Sequence, residues 1–186
     1  MHFTEIILLA IGVAMDAFAA SICKGIPLKK VAPKHAMLTA IWFGGFQALL
    51  PLVGYYLGTS FSDFVSSIDH WIAFLLLGII GINMLRESFQ KDECSCAIPD
   101  FSFRTMLAMA VATSIDALAV GVSLAFLKVN IWSAVLIIGL TTGAFSAAGV
   151  YIGNIFGNKY KSKAELAGGL ILILIGTKIL IDHTLL

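Results

Sequence analysis

The sequence predicts an all-α, polytopic membrane protein whose six transmembrane helices form two inverted three-helix repeats. Three observations predict this. The 186 residues are 59% hydrophobic and only 12% charged, whereas soluble domains carry about 45–50% apolar and about 25% charged residues. Apolar stretches near the ~20 residues that cross a bilayer occur six times. Finally, residues of the first half return in register in the second.

The first span, Thr4–Lys24, reads as a retained helix. It has Glu5 and no Lys or Arg ahead of its apolar run, and Asp16 lies inside that run; a signal peptide wants a basic n-region and a clean apolar centre. The second span, His35–Gly58, carries Gln47 near its middle and ends in Gly54-x-x-x-Gly58, a small-residue pattern that lets helices approach closely. The third, His70–Glu87, opens on Asp69-His70-Trp71, where Trp71 reads as an interfacial anchor. The fourth, Arg104–Leu127, contains Thr113, Ser114 and Asp116. The fifth, Ile131–Gly157, repeats the small-residue pattern as Gly149-x-x-x-Gly153. The sixth, Ala164–His183, has Lys178 close enough to its end to snorkel outward.

At an offset of 100, Ala10, Asp16, Ala17 and Ala19 return as Ala110, Asp116, Ala117 and Ala119. Beyond the first loop the offset is 95, where Gly44, Gly54, Tyr56 and Gly58 return as Gly139, Gly149, Tyr151 and Gly153. Gly81 and Leu85 return as Gly176 and Leu180. The chain is thus expected to be one membrane domain, with repeat one over residues 1–87, a linking loop over 88–103 and repeat two over 104–186. Three spans per repeat is an odd number, so the second copy crosses in the opposite sense. Such inverted repeats are characteristic of secondary transporters, with the substrate site near the midplane.

Charge gives the orientation. Loops after the first, third and fifth spans hold ten Lys and Arg, and the other side holds only Lys128 and Lys178. The excess of Lys and Arg marks the cytoplasmic side, so both termini are expected outside the cytoplasm. A net charge of +1 points to no nucleic-acid partner. Cys23, Cys94 and Cys96 are too few for a disulfide framework or a complete structural zinc site. Cys23 reads as small packing, and the C-x-C pair as incidental to the loop.

Asp16 and Asp116 carry the functional reading. Each lies about 12 residues, or ~18 Å, into its span, close to the middle of a ~30 Å core. An intramembrane acid costs ~2.5–3.5 kcal/mol on insertion scales and faces the bundle interior or water. Gly12, Val13, Ala19 and Ala20 surround Asp16 at helical spacing, and Ala112, Thr113, Ala119 and Val120 surround Asp116. Small neighbours leave space at each acid. No Lys or Arg is expected at that depth, so a transported cation, a proton, or each in turn supplies the positive charge. Two carboxylates close together cannot both stay ionised, and a divalent ion that displaces the shared proton gives a basis for metal–proton exchange.

Carboxylate, hydroxyl and amide oxygens favour harder ions such as Mg²⁺, Ca²⁺ and Mn²⁺. Gln47, Thr113, Ser114 and Asn83 are the further oxygen donors of the candidate set. Met15 adds a thioether that tilts preference toward a transition metal, although Met also fills apolar gaps freely. Asn83 and Lys178 occupy equivalent places in the two halves.

The paired "MDAFAAS" and "TSIDALAVG", with "FGGFQALLPLVGYYLG" and "DHWIAFLLLGIIG", resemble the MntP family of manganese efflux pumps, over nearly the whole chain. The resemblance implies six membrane helices, kinship with the lysine-exporter superfamily, and export of Mn²⁺ as substrate from a bacterial cytoplasm. It places the family's acids of the first and fourth helices on Asp16 and Asp116. It also implies Glu in some relatives where this chain has Gln47, one anionic ligand fewer here. The partners to expect are a divalent ion, protons and the lipid bilayer, with no resident cofactor; the oligomeric state is not set by the sequence. The competing substrate class is an amino acid or other small organic cation. An intramembrane aspartyl protease also uses two Asp, but the Gly-rich acid motif of those enzymes is absent and the repeat favours transport.

Overall fold

A computed structural model describes residues 3–65, 69–89, 100–127, 129–156 and 160–184. Its described residues form six helices: α1 (Phe3–Gly25), α2 (Pro33–Val65), α3 (Asp69–Phe89), α4 (Phe103–Phe126), α5 (Ile131–Phe156) and α6 (Lys161–Thr184). Local chemistry sets several starts. Pro33 opens α2, where its missing N–H costs nothing. Asn130 precedes α5, and its Oδ1 accepts from the Trp132 N–H at 3.1 Å. Ser102 precedes α4 in extended backbone, φ −62° and ψ 153°.

Five helices are long and apolar enough to cross a membrane. In α3 the apolar part is Trp71–Arg86. Large apolar side chains point away from the protein, among them Ile79, Leu136, Leu140 and Leu174. Hydrocarbon is the solvent that suits such a surface. The chain is a multi-pass membrane protein.

One boundary differs from the sequence reading. The second span was expected to end at Gly58, but α2 continues to Val65. The Thr59 and Ser60 hydroxyls both donate to the Tyr56 carbonyl, so polar residues extend the helix rather than stop it. The linking segment is bounded by Phe89 and Phe103, and residues 90–99 lie outside the described set.

Contacts fix the sense of each helix. α1 and α5 run together in the same sense, with Phe18 against Gly149 and Ile22 against Gly153. α4 and α2 do the same, with Leu118 against Gly54 and Val122 against Gly58. α2 and α5 cross in opposite senses, where Gly44 meets Gly139 and Gly143 while Ala48 meets Gly139. α3 and α6 are also opposed, Gly81 facing Gly169 and Ile173 while Leu77 faces Gly176. α1 opposes α6, with Gly12 on Ile171 and Leu172. Both small-residue patterns therefore pack within one chain. A Cβ added at Gly54 would lie 2.0 Å from the Leu118 carbonyl oxygen, and one at Gly153 would lie 2.1 Å from that of Ile22. Only glycine permits these approaches.

Candidate functional site

Gln47 forms the clearest polar junction. It is fully buried on α2. Its Nε2 donates to the Val13 carbonyl of α1 at 3.2 Å, and its Oε1 accepts from Ser114 Oγ of α4 at 2.8 Å. One amide thus ties three helices, satisfying groups that hydrocarbon would penalise. Pro51 lies one turn further along α2 and has no N–H to donate to the Gln47 main-chain carbonyl. The same place therefore carries a backbone oxygen released from the helical ladder.

Asp116 is half-buried and lines a cavity of about 240 Å³ between α3 and α4, together with Ile79, Ile80, Ile82, Asn83 and Arg86. Asn83 and Asp116, both singled out from sequence, therefore share one cavity. Arg86 corrects an expectation. The sequence was read as placing no Lys or Arg at the depth of the acids, yet this side chain lines the same cavity, because the last turns of α3 lie alongside the middle of α4.

Asp16 is half-buried on α1. It shares a helix face with Gly12, which packs on α6. Met15 is buried in the apolar core, where its Cβ closes on Gly168 of α6. Thr113 Oγ donates within its own helix, to Met109 O at 3.0 Å. No three acid, His or Cys side chains converge among the described residues.

One further sequence reading gains a partner and another is overturned. Lys178, half-exposed near the end of α6, is ion-paired through its Nζ with Glu5 Oε1, a buried acid of α1. Antiparallel packing of α1 and α6 brings the two together from opposite ends of the chain. Cys23 is disulfide-bonded rather than free small packing. The last turn of α1 stands beside the end of the linking segment, where Lys24 Nζ donates to Asp100 O at 2.6 Å and lies 5.6 Å from the Phe101 ring centre. Cys94 and Cys96 lie outside the described residues, as do the side chains of Asp69 and His70. Trp71 is exposed and stacks edge-on with Phe74 at 6.5 Å, as an interfacial side chain would.

Sequence reasoning missed Thr142 and Ser146 of α5. Both are fully buried, and their hydroxyls make no hydrogen bond to any described residue. Thr142 stands 95 residues after Gln47, so the repeat offset itself would have found it.

Outside the membrane, Asp100 is exposed and accepts from Thr105 Oγ1 at 2.5 Å and from the Ser102 N–H at 2.8 Å. The Thr105 bond, then those of Ser102, hold its carboxyl below the ordinary 3.8.

The family described as "Putative manganese efflux pump" (Mntp) matches residues 30–180. This chain belongs to the MntP family. It is 57% identical over 185 residues to an MntP protein of Acetivibrio thermocellus, covering 98% of this chain and 92% of that one. It is 54% identical over 180 residues to one of Bifidobacterium adolescentis, covering 96% of each. It is 52% identical over 187 residues to one of Mannheimia succiniciproducens, covering 100% and 99%. All three carry the name manganese efflux pump, a transporter's name and not an enzyme's. No solved structure matches.

Proposed function

We propose that this MntP protein is a secondary transporter that exports Mn²⁺ from the cytoplasm in exchange for protons. The cation site is built around Asp16 and Asp116, at the interface of two inverted three-helix repeats. The observation that carries this reading is Asp116 itself, an acid in the middle of a membrane-length helix, opening on a cavity shared with Asn83. The names of the MntP relatives supply the metal and the direction.

The paired contacts support the inverted repeat. Adding 95 to Gly54 and Gly58 and subtracting 100 from Leu118 and Val122 reproduces the contacts of Gly149 and Gly153 with Phe18 and Ile22. Gly44 and Gly139, equivalent by the same offset, meet each other. α4 runs opposite to α1, as inversion requires. The ten basic residues on one side support an orientation with both termini outside the cytoplasm.

Gln47, with its side-chain and main-chain oxygens, and Ser114 complete the oxygen-rich set, with Thr113 and Asn83 at its margins. Oxygen donors of this kind suit Mn²⁺. Met15 belongs to the α1–α6 packing and is left out of the ligand set. Exchange follows because a divalent ion entering between two carboxylates displaces the proton they share.

The test is Mn²⁺ uptake into inside-out vesicles by the parent, Asp16→Asn and Asp116→Asn, at equal folded amounts, with an internal pH dye. Loss of uptake in both variants is expected. Unchanged uptake in either would remove that acid from the site, and metal flux without opposing proton movement would remove the exchange.

A further inference from the structure

We propose that the Glu5–Lys178 ion pair is the outer gate of the transport path, closed in this conformation. This rests on the transport reading above and adds the residues that control access.

Helix geometry links the pair to the site. Eleven residues of α-helix turn through three full circles and about 20° more, and rise ~16 Å. Glu5, Leu9, Gly12 and Asp16 therefore form one stripe along α1. Between Asp16 and the terminal side this stripe is sealed: Glu5, Leu9 and Gly12 are all buried, and Gly12 is tight against Ile171 and Leu172 of α6. Lys178 of α6 closes the end of the stripe on Glu5.

The corresponding stripe on α4 is Thr105, Met109, Ala112 and Asp116. Here Ala112 is exposed and Thr105 and Met109 are half-buried. α4 also packs less closely on α3 than α1 does on α6, and the cavity that reaches Asp116 lies in that looser seam. The residues equivalent to Glu5 and Lys178 are Thr105 and Asn83, which cannot form an ion pair. The Glu5–Lys178 ion pair thus has no counterpart at the equivalent positions. Alternating access needs this kind of inequality between halves. Releasing the ion on the terminal side requires α1 and α6 to part, and the ion pair is the contact that must break.

Thiol labelling tests the gate without using manganese. Leu9→Cys puts a buried thiol between Asp16 and the pair. A membrane-impermeant maleimide is added to right-side-out vesicles, and labelling above that of the chain with native Leu9 is followed. With the pair intact, and with Lys178→Arg, labelling should be slow. Glu5→Gln or Lys178→Met should make it about tenfold faster, the response of an equilibrium released from its closed state. Exchanging the charges, Glu5→Lys with Lys178→Glu, should restore protection. Unchanged labelling in both single variants, in protein that unfolds at the parent's temperature, overturns the gate. So does fast labelling that the exchanged pair fails to slow. Failure of the manganese reading would appear separately, as no uptake by parent vesicles whatever the labelling.

Discussion

Replacing Gln47 by leucine separates holding the bundle together from holding the ion. Leucine has nearly the volume of glutamine, so no large cavity opens and the change is chiefly the loss of two interhelical hydrogen bonds, to Val13 O and from Ser114 Oγ. Such bonds average ~0.6 kcal/mol inside membrane proteins. Both released groups also find relief. Ser114 can turn to its own helix as Ser21, Thr113 and Ser123 do, and Val13 O keeps its place in the α1 ladder. The expected cost is therefore ~1 kcal/mol, small against folding stabilities of ~5–15 kcal/mol. Reversible unfolding of purified protein in mixed micelles measures it. A double-mutant cycle with Ser114→Ala should return a coupling of ~0.6 kcal/mol. A coupling of zero would refute the bridge between α2 and α4. Because ~1 kcal/mol leaves almost all the protein folded, a large fall in Mn²⁺ uptake by Gln47→Leu would report a lost ligand. Normal uptake would leave Gln47 as interhelical glue and take it out of the site.

Gly54→Leu and Gly153→Leu each drive a side chain into a facing carbonyl, and overpacking should cost ~1–3 kcal/mol or more in each. Similar losses in the two are expected from their equivalent seams, whereas Gly45→Ala, with nothing within 4 Å, should leave the unfolding midpoint unchanged. Asp100 has a depressed folded-state carboxyl, so its contribution is present above 3.8 and is lost as pH falls below that value through the lower folded one. Asp100→Asn should therefore flatten the acid limb of the stability profile below about pH 4, and an unaltered limb would contradict the Thr105 and Ser102 bonds.

Hydropathy made the helices legible because a helix that lacks a polar solvent must satisfy its backbone internally. It failed where polar residues continue a helix, as from Thr59 onward in α2. Asp116 and Asn83 were separately visible as polar residues in apolar spans, but their common cavity depends on how α3 lies on α4. The partnership of Glu5 with Lys178 joins residues 173 positions apart, and no local pattern encodes it. Arg86 was read as a loop-side charge for the same reason, since span boundaries say nothing of what a long side chain reaches. The disulfide at Cys23 is again a matter of packing, which no local pattern encodes. Thr142 is a different kind of omission. Its equivalence to Gln47 was available from the offset, but a change from amide to hydroxyl hides the match.

The pairing of α1 with α5 and α6, and of α4 with α2 and α3, has a consequence for biogenesis. Each half keeps its principal partners in the other, and α1 meets α2 only slightly. A ribosome that has delivered three helices to the membrane has delivered no core. Those helices must wait with few contacts among themselves, Gln47 able to reach the Val13 carbonyl but still lacking Ser114 of α4. Packing of the first half therefore begins with α4 and α5, which bring the main partners of α2 and α1, and α3 gains its principal partner last, with α6.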